Sequence, residues 1–116
     1  MSILYHNPRC SKSRKAVALC EASSHDVEIH LYLNSPLDYD TLHSLLSRLD
    51  GELHMAVRWK DKSFKAIANP DVDRNSIHSI ARFLSENGHL MERPWLDNGI
   101  FTRIGRPVED LVKFLP

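Results

Sequence analysis

His6-Asn7-Pro8-Arg9-Cys10-Ser11-Lys12-Ser13-Arg14 joins two kinds of sequence. Before it, Ile3-Leu4-Tyr5 is a short apolar run of strand type; after it, Lys15-Ala16-Val17-Ala18-Leu19-Cys20 suits a helix. Cys10 is therefore expected where a strand turns into a helix, beside the helix's first free N–H groups. Those groups and the helix dipole stabilise negative charge, which lowers a thiol pKa and attracts oxyanions. Cys10 is a candidate thiolate nucleophile, and an anion is its natural substrate.

Working outward, the sequence predicts a strand over Ile3 to Tyr5 and a helix from about Ser11 to Ala22, with Ala16, Leu19 and Cys20 on one face. A second strand is expected from Val27 to Leu33, where Val27, Ile29, Leu31 and Leu33 alternate, until Asn34-Ser35-Pro36 breaks it. Strand, helix, strand in this order suggests parallel pairing through a right-handed crossover. A helix of about Tyr39 to Leu49 follows, striped by Leu42, Leu45, Leu46 and Leu49 and stopped by Asp50-Gly51. Glu52 to Arg74 is the least legible region, with a short helix expected at Met55 to Trp59 and Pro70 as punctuation. Asn75 is the expected N-cap of a helix reaching Glu86, ended by Asn87-Gly88. A strand near Trp95, a turn at Asp97-Asn98-Gly99 and a strand from Ile100 to Ile104 read as a hairpin. Pro107 suits the first turn of a last helix that buries Val108, Leu111, Val112 and Leu115. The order is α/β: a βαβ half, a helical insertion and a ββα half, which is the thioredoxin-like plan.

The 116 residues fit one domain, taken as residues 1–116, with enough chain for a real core. Apolar residues make up 42% and charged residues 26%, and 15 Lys plus Arg balance 15 Asp plus Glu. With no net basic field, no nucleic-acid partner is expected. No run approaches the ~20 apolar residues of a membrane-spanning helix, and no charged leader or signal-like segment precedes the first strand, so no membrane partner is expected. Cys10 and Cys20 are too few for a disulfide scaffold, and along one helix their Cα atoms would lie ~14 Å apart. A reduced, cytoplasmic protein is the expectation, with a monomer as the default. Seven histidines lie singly along the chain, which speaks against a zinc site.

Around Cys10, a protonated His6 would favour the thiolate. Ser11 and Ser13 offer hydroxyl donors to a thiolate or bound oxyanion, while Lys12 and Arg14 add positive potential. The competing account treats Cys10 as a small buried hydrophobe and the basic residues as a solvated face. The strand-to-helix position and polar neighbours tip the balance towards function for Cys10. Cys20, on an apolar face, reads as buried and inert. Cys10-Ser11-Lys12-Ser13 is Cys-x-x-Ser, so the motif holds no second sulfur for an internal dithiol cycle. Any adduct on Cys10 must then be resolved by another molecule, such as glutathione or glutaredoxin. Arg58, Arg93 and Arg106 could complete an anion site, since guanidinium groups match oxyanions. Pro94, after Arg93, is a cis-proline candidate, because thioredoxin-like folds place one beside the active cysteine.

The active loop, Leu31-Tyr32-Leu33 with Pro36, Glu92-Arg93-Pro94 and Arg103-Ile104-Gly105-Arg106-Pro107 together resemble the arsenate reductase family, over about Ile3 to Pro116. The branch resembled is glutaredoxin-dependent and thioredoxin-folded. By position, the resemblance implies Cys10 as the nucleophile on arsenate, His6 as the histidine favouring its thiolate and Ser13 as the assisting hydroxyl. It implies Arg58, Arg93 and Arg106 as the oxyanion-binding trio. Glutathione is implied as co-substrate and glutaredoxin as partner, with no bound cofactor or metal. The family usually reads Leu-Leu-Arg-Lys or Met-Arg where this chain has Ala56-Val57-Arg58-Trp59, and its better-characterised branch has Gly where Ser11 stands.

Two other readings share the scaffold. One is a glutathione-dependent thiol oxidoreductase with no arsenate role. The other is an Spx-type regulator that binds RNA polymerase and senses oxidants. Such regulators typically carry Cys-x-x-Cys at this loop, whereas Ser13 occupies the last position here.

Overall fold

A computed structural model describes residues 2–67 and 71–115. Pro70, expected to punctuate the middle of the chain, lies outside the described residues. Strand β1 runs Ser2–His6 and helix α1 runs Ser11–Ala22, as the apolar spacing requires. Strand β2 covers Val27–Leu31 and pairs parallel with β1, Leu4 opposite Ile29 and His6 opposite Leu31. After helices α2 (Tyr39–Ser47), α3 (Lys62–Lys65) and α4 (Ile77–Glu86) come strands β3 (Trp95–Asp97) and β4 (Thr102–Ile104). Both of the last pairings are antiparallel, giving the sheet order β2-β1-β3-β4. This mixed α/β arrangement is the thioredoxin-like plan, with its helical insertion between the two halves.

Side chains alternate across the sheet with a period of two, so each face collects its own core. Leu4 and Leu96, directly opposite each other, bury themselves with Ala16 and Cys20 of α1 and with Val108 and Leu111. On the other face Tyr5, Trp95 and Ile104 pack with Leu42, Leu45 and Leu46 of α2 and with Ile80, Ala81 and Leu84 of α4. Among the described residues no helix is long and apolar enough to cross a membrane.

Several expected boundaries move, each for a local reason. Strand β2 stops at Leu31 because the Asn34 and Ser35 N–H groups turn back to its carbonyl, at 3.1 and 2.9 Å. It is also an edge strand, and Ile29 and Leu31, with Leu33 just past its end, stay about 40% exposed. Helix α2 ends at Ser47 rather than Leu49, because Thr102 captures the chain. Its N–H donates to the Arg48 carbonyl (3.0 Å) and its carbonyl accepts from Asp50 N–H (2.8 Å). The short helix expected at Met55 to Trp59 is a 3₁₀ turn at Leu53–Ala56. Val57 is extended instead and bridges Met91, with flanking bonds from Glu92 N–H to the Ala56 carbonyl and from Arg58 N–H to the Leu90 carbonyl, both 2.8 Å.

The cap of α4 is Ser76, whose hydroxyl accepts from Ser79 N–H at 3.1 Å, and not Asn75. The last strand starts at Thr102 rather than Ile100. Asn98 Oδ1 gathers the N–H groups of Ile100 and Phe101 into the hairpin loop and leaves both side chains exposed. Pro107 caps the final element instead of entering it, and that element is a 3₁₀ turn, Val108–Phe114. With three residues per turn its buried stripe contains Val108 and Leu111, while Val112 points outward.

Candidate active site

Parallel strands β1 and β2 end side by side, so Asn7 and Tyr32 leave the sheet together at its carboxyl edge, the usual place for a ligand in such sheets. The loop from Asn7 to Cys10 folds tightly. Cys10 N–H donates to the Asn7 carbonyl (3.0 Å), Arg9 N–H to Asn7 Oδ1 (3.0 Å) and the Arg14 guanidinium to the Pro8 carbonyl (2.9 Å). Cys10 then stands as the N-cap of α1, extended at φ −98° and ψ 122°, and its carbonyl receives the helix's first bond from Arg14 N–H.

Cys10 is 7% exposed. Burial pushes its pKa up, but the N–H of Ser13, the guanidinium of Arg93 and the N–H of Lys12 together hold it below that of an ordinary thiol. The Cys10 side chain closes no cap hydrogen bond with the helix amides. They are free to tighten on a thiolate or on oxygens bound to it. Cys20 shows the opposite balance: burial, with Glu21 nearby, raises its pKa on the apolar face of α1.

His6 and Ser13 form a unit of their own. His6 Nδ1 and Ser13 Oγ are 2.7 Å apart, and Ser13 Oγ also accepts from Asn7 N–H at 2.9 Å. Ser13 is fully buried, so its hydroxyl ties the end of β1 to the start of α1 while its N–H serves the sulfur. Burial and the charge of Arg14 hold the His6 imidazole below its ordinary value, which favours the neutral ring over a cation. The groups that lower the Cys10 thiol are amides and Arg93, while His6 is engaged with Ser13. Ser11, the first residue of α1, is exposed.

All three expected arginines line one open basin of about 1170 Å³, together with Trp59, Lys60, Lys62, Arg74 and Glu92. They are not equivalent. Arg58 reaches Asp61 at 2.7 Å, and Arg106 reaches Glu92 Oε1 at 2.9 Å and the Arg93 carbonyl at 3.1 Å. Arg93 has no carboxylate at ion-pair distance among the described residues, and its buried Nε has no hydrogen-bond partner. It alone lies against both the basin and Cys10. The Arg93-Pro94 peptide is cis, as is Arg106-Pro107. Gly105 lets the two segments touch: a Cβ there would stand 2.8 Å from Leu111 Cδ1 and 3.1 Å from Pro94 Cγ.

Two neighbours escaped the sequence reading as site residues. Glu92 anchors Arg106, and Tyr32, 2% exposed, places its phenol where the charges of Arg93 and Cys10 bear on it. Both lie in stretches that carried the family resemblance, which is the signal that marked them. Among the described residues, no three His, Cys, Asp or Glu side chains gather as a metal site would need.

A buried thiol at a helix N-terminus, set beside a cis-proline loop and an arginine with no carboxylate partner, defines a thioredoxin-like thiol protein. The comparisons narrow that class. The family model described as the ArsC family matches residues 5–114, and the chain belongs to that family. An arsenate reductase of Haemophilus influenzae is 34% identical over 114 residues, 97% of each chain. The solved arsenate reductase of Vibrio cholerae superposes with a TM-score of 0.85 at 30% identity, covering 98% of this chain and 97% of that one. The global transcriptional regulator Spx of Streptococcus agalactiae is 32% identical over all of this chain and 84% of its own length.

Proposed function

We propose that this chain reduces arsenate to arsenite through Cys10, with glutathione as electron donor, glutaredoxin as the partner that restores the thiol and no bound cofactor. The observation that carries it is Arg93, a guanidinium with a buried Nε and no carboxylate partner that favours the Cys10 thiolate and lines the basin. The Cys10 thiolate attacks arsenic(V), a sulfur–arsenic bond forms, and one arsenate oxygen leaves as water after taking up protons. Arg93 and the N–H groups of Lys12 and Ser13 face the charge carried by the remaining oxygens. Glutathione sulfur then attacks Cys10 sulfur. The electron pair of the sulfur–arsenic bond stays on arsenic, which leaves as arsenite. Cys10 and glutathione are left as a mixed disulfide, and a glutaredoxin thiol takes the glutathione by exchange. Two free thiols suit the reducing cytoplasm in which those donors occur.

The relation to Spx favours a second reading, a polymerase-binding regulator, because identity alone scarcely separates the two groups. The loop does separate them: Cys10-Ser11-Lys12-Ser13 has no second sulfur for an oxidant switch. A coupled assay with arsenate, glutathione and glutaredoxin should show turnover that Cys10→Ser abolishes. Absence of turnover in wild type, with turnover of glutathione mixed disulfides instead, would replace the reductase by a general thiol oxidoreductase. Stoichiometric capture of RNA polymerase would favour the regulator.

A further inference from the structure

We propose that Tyr32 is a further oxyanion-binding residue, its phenolic O–H donating a hydrogen bond to an oxygen of the anion held at Cys10 and Arg93. The inference rests on the reading of that site as an oxyanion site, and adds a donor from a different strand. Tyr32 follows β2 directly and belongs to the buried cluster on the α2–α4 face, so its ring is fixed by packing. Its hydroxyl is sealed from water yet completes no hydrogen bond. The Asn7 side chain lies close enough to influence the phenol without closing a bond of good geometry. Arg93, Cys10 and Arg58 are the charged groups that bear on it.

A buried hydroxyl without a partner destabilises a fold, and a phenylalanine would fill the same space without that penalty. The phenol therefore gains its partner only when something polar enters the site. Arg93 Nε is orphaned in the same way, so two sealed donors sit close to one sulfur. A tetrahedral oxyanion bound there would offer an acceptor to each. Burial also raises the Tyr32 pKa, which keeps the phenol protonated and able to donate across the neutral range.

Binding of arsenate, and of non-reacting sulfate, to wild type, Tyr32→Phe and Arg93→Ala by calorimetry, with a melting curve for each, tests the assignment. Tyr32→Phe is expected to melt no lower than wild type and to weaken arsenate binding by about tenfold or more, as loss of a hydrogen bond to a charged group does. Unchanged arsenate affinity in Tyr32→Phe, with wild type binding normally and Arg93→Ala weakened, would overturn the Tyr32 role and leave the oxyanion reading intact. Wild type that binds neither ion would overturn both. A lowered melting temperature with unchanged affinity would make Tyr32 a core residue only.

Discussion

Cys10 is set apart from Cys20 by what faces each sulfur, since both are buried to a similar degree. Amide dipoles and a guanidinium favour charge at Cys10, whereas Cys20 sees hydrocarbon and a carboxylate. Alkylation by iodoacetamide follows the thiolate, so Cys10 should react with a midpoint below the ~8.5 of a free cysteine while Cys20 stays unmodified. Arg93→Ala removes a favourable charge and a donor, which moves the Cys10 midpoint up in pH and, for oxyanion turnover, lowers kcat about 100-fold or more. A midpoint that does not move on this substitution would show that the helix amides suffice by themselves. Cys10 was legible from its place between a strand and a helix. The helix N–H groups that lower its pKa were legible from the same position, whereas the orientation of His6, whose ring turns to Ser13, was not.

At the scale of elements, apolar stripes placed α1, α2 and α4 well, and the errors cluster where long-range bonds compete with local preference. Thr102 cuts α2 short from more than fifty residues away, and the Ala56–Arg58 segment zips against Leu90–Glu92 where a helix was expected. Neither partner is visible in a local pattern. The zipper also matters to function, because it brings Arg58 alongside the strand-like run that delivers Arg93. Helix α4 shows how one residue decides a boundary: Asn75 and Ser76 are both good caps, and only Ser76 reaches Ser79 N–H. Ser76→Ala should therefore cost about 1 kcal/mol of stability in urea unfolding, while Asn75→Ala changes it little. Equal losses would mean that the two residues share the cap.

For the whole molecule, the sheet gathers the site from three distant stretches at one edge: the loop after β1, the residue after β2 and the segment before β3. The βαβ and ββα order predicted that gathering, since parallel β1 and β2 must end at the same edge and the cis Arg93-Pro94 segment enters beside them. Charge was harder to read. The three arginines look alike in sequence, but two of them already face carboxylates, Asp61 and Glu92.

That pairing has an electrostatic consequence. Of the three arginines an incoming anion meets only one without a carboxylate, with Lys60, Lys62 and Arg74 also lining the basin, so its binding should weaken with ionic strength. Glu92 sets this balance. Glu92→Gln keeps an oxygen for Arg93 N–H and Arg106 but removes the negative charge, and should tighten arsenate binding roughly fivefold, about 1 kcal/mol of Coulomb energy near a surface. It should also steepen the dependence on added chloride. Titration of both proteins across a salt series measures this, and identical salt slopes would count against it. The carboxylate thus acts as a counterweight: it moderates how firmly the basin grips any anion, and so how readily a charged product leaves.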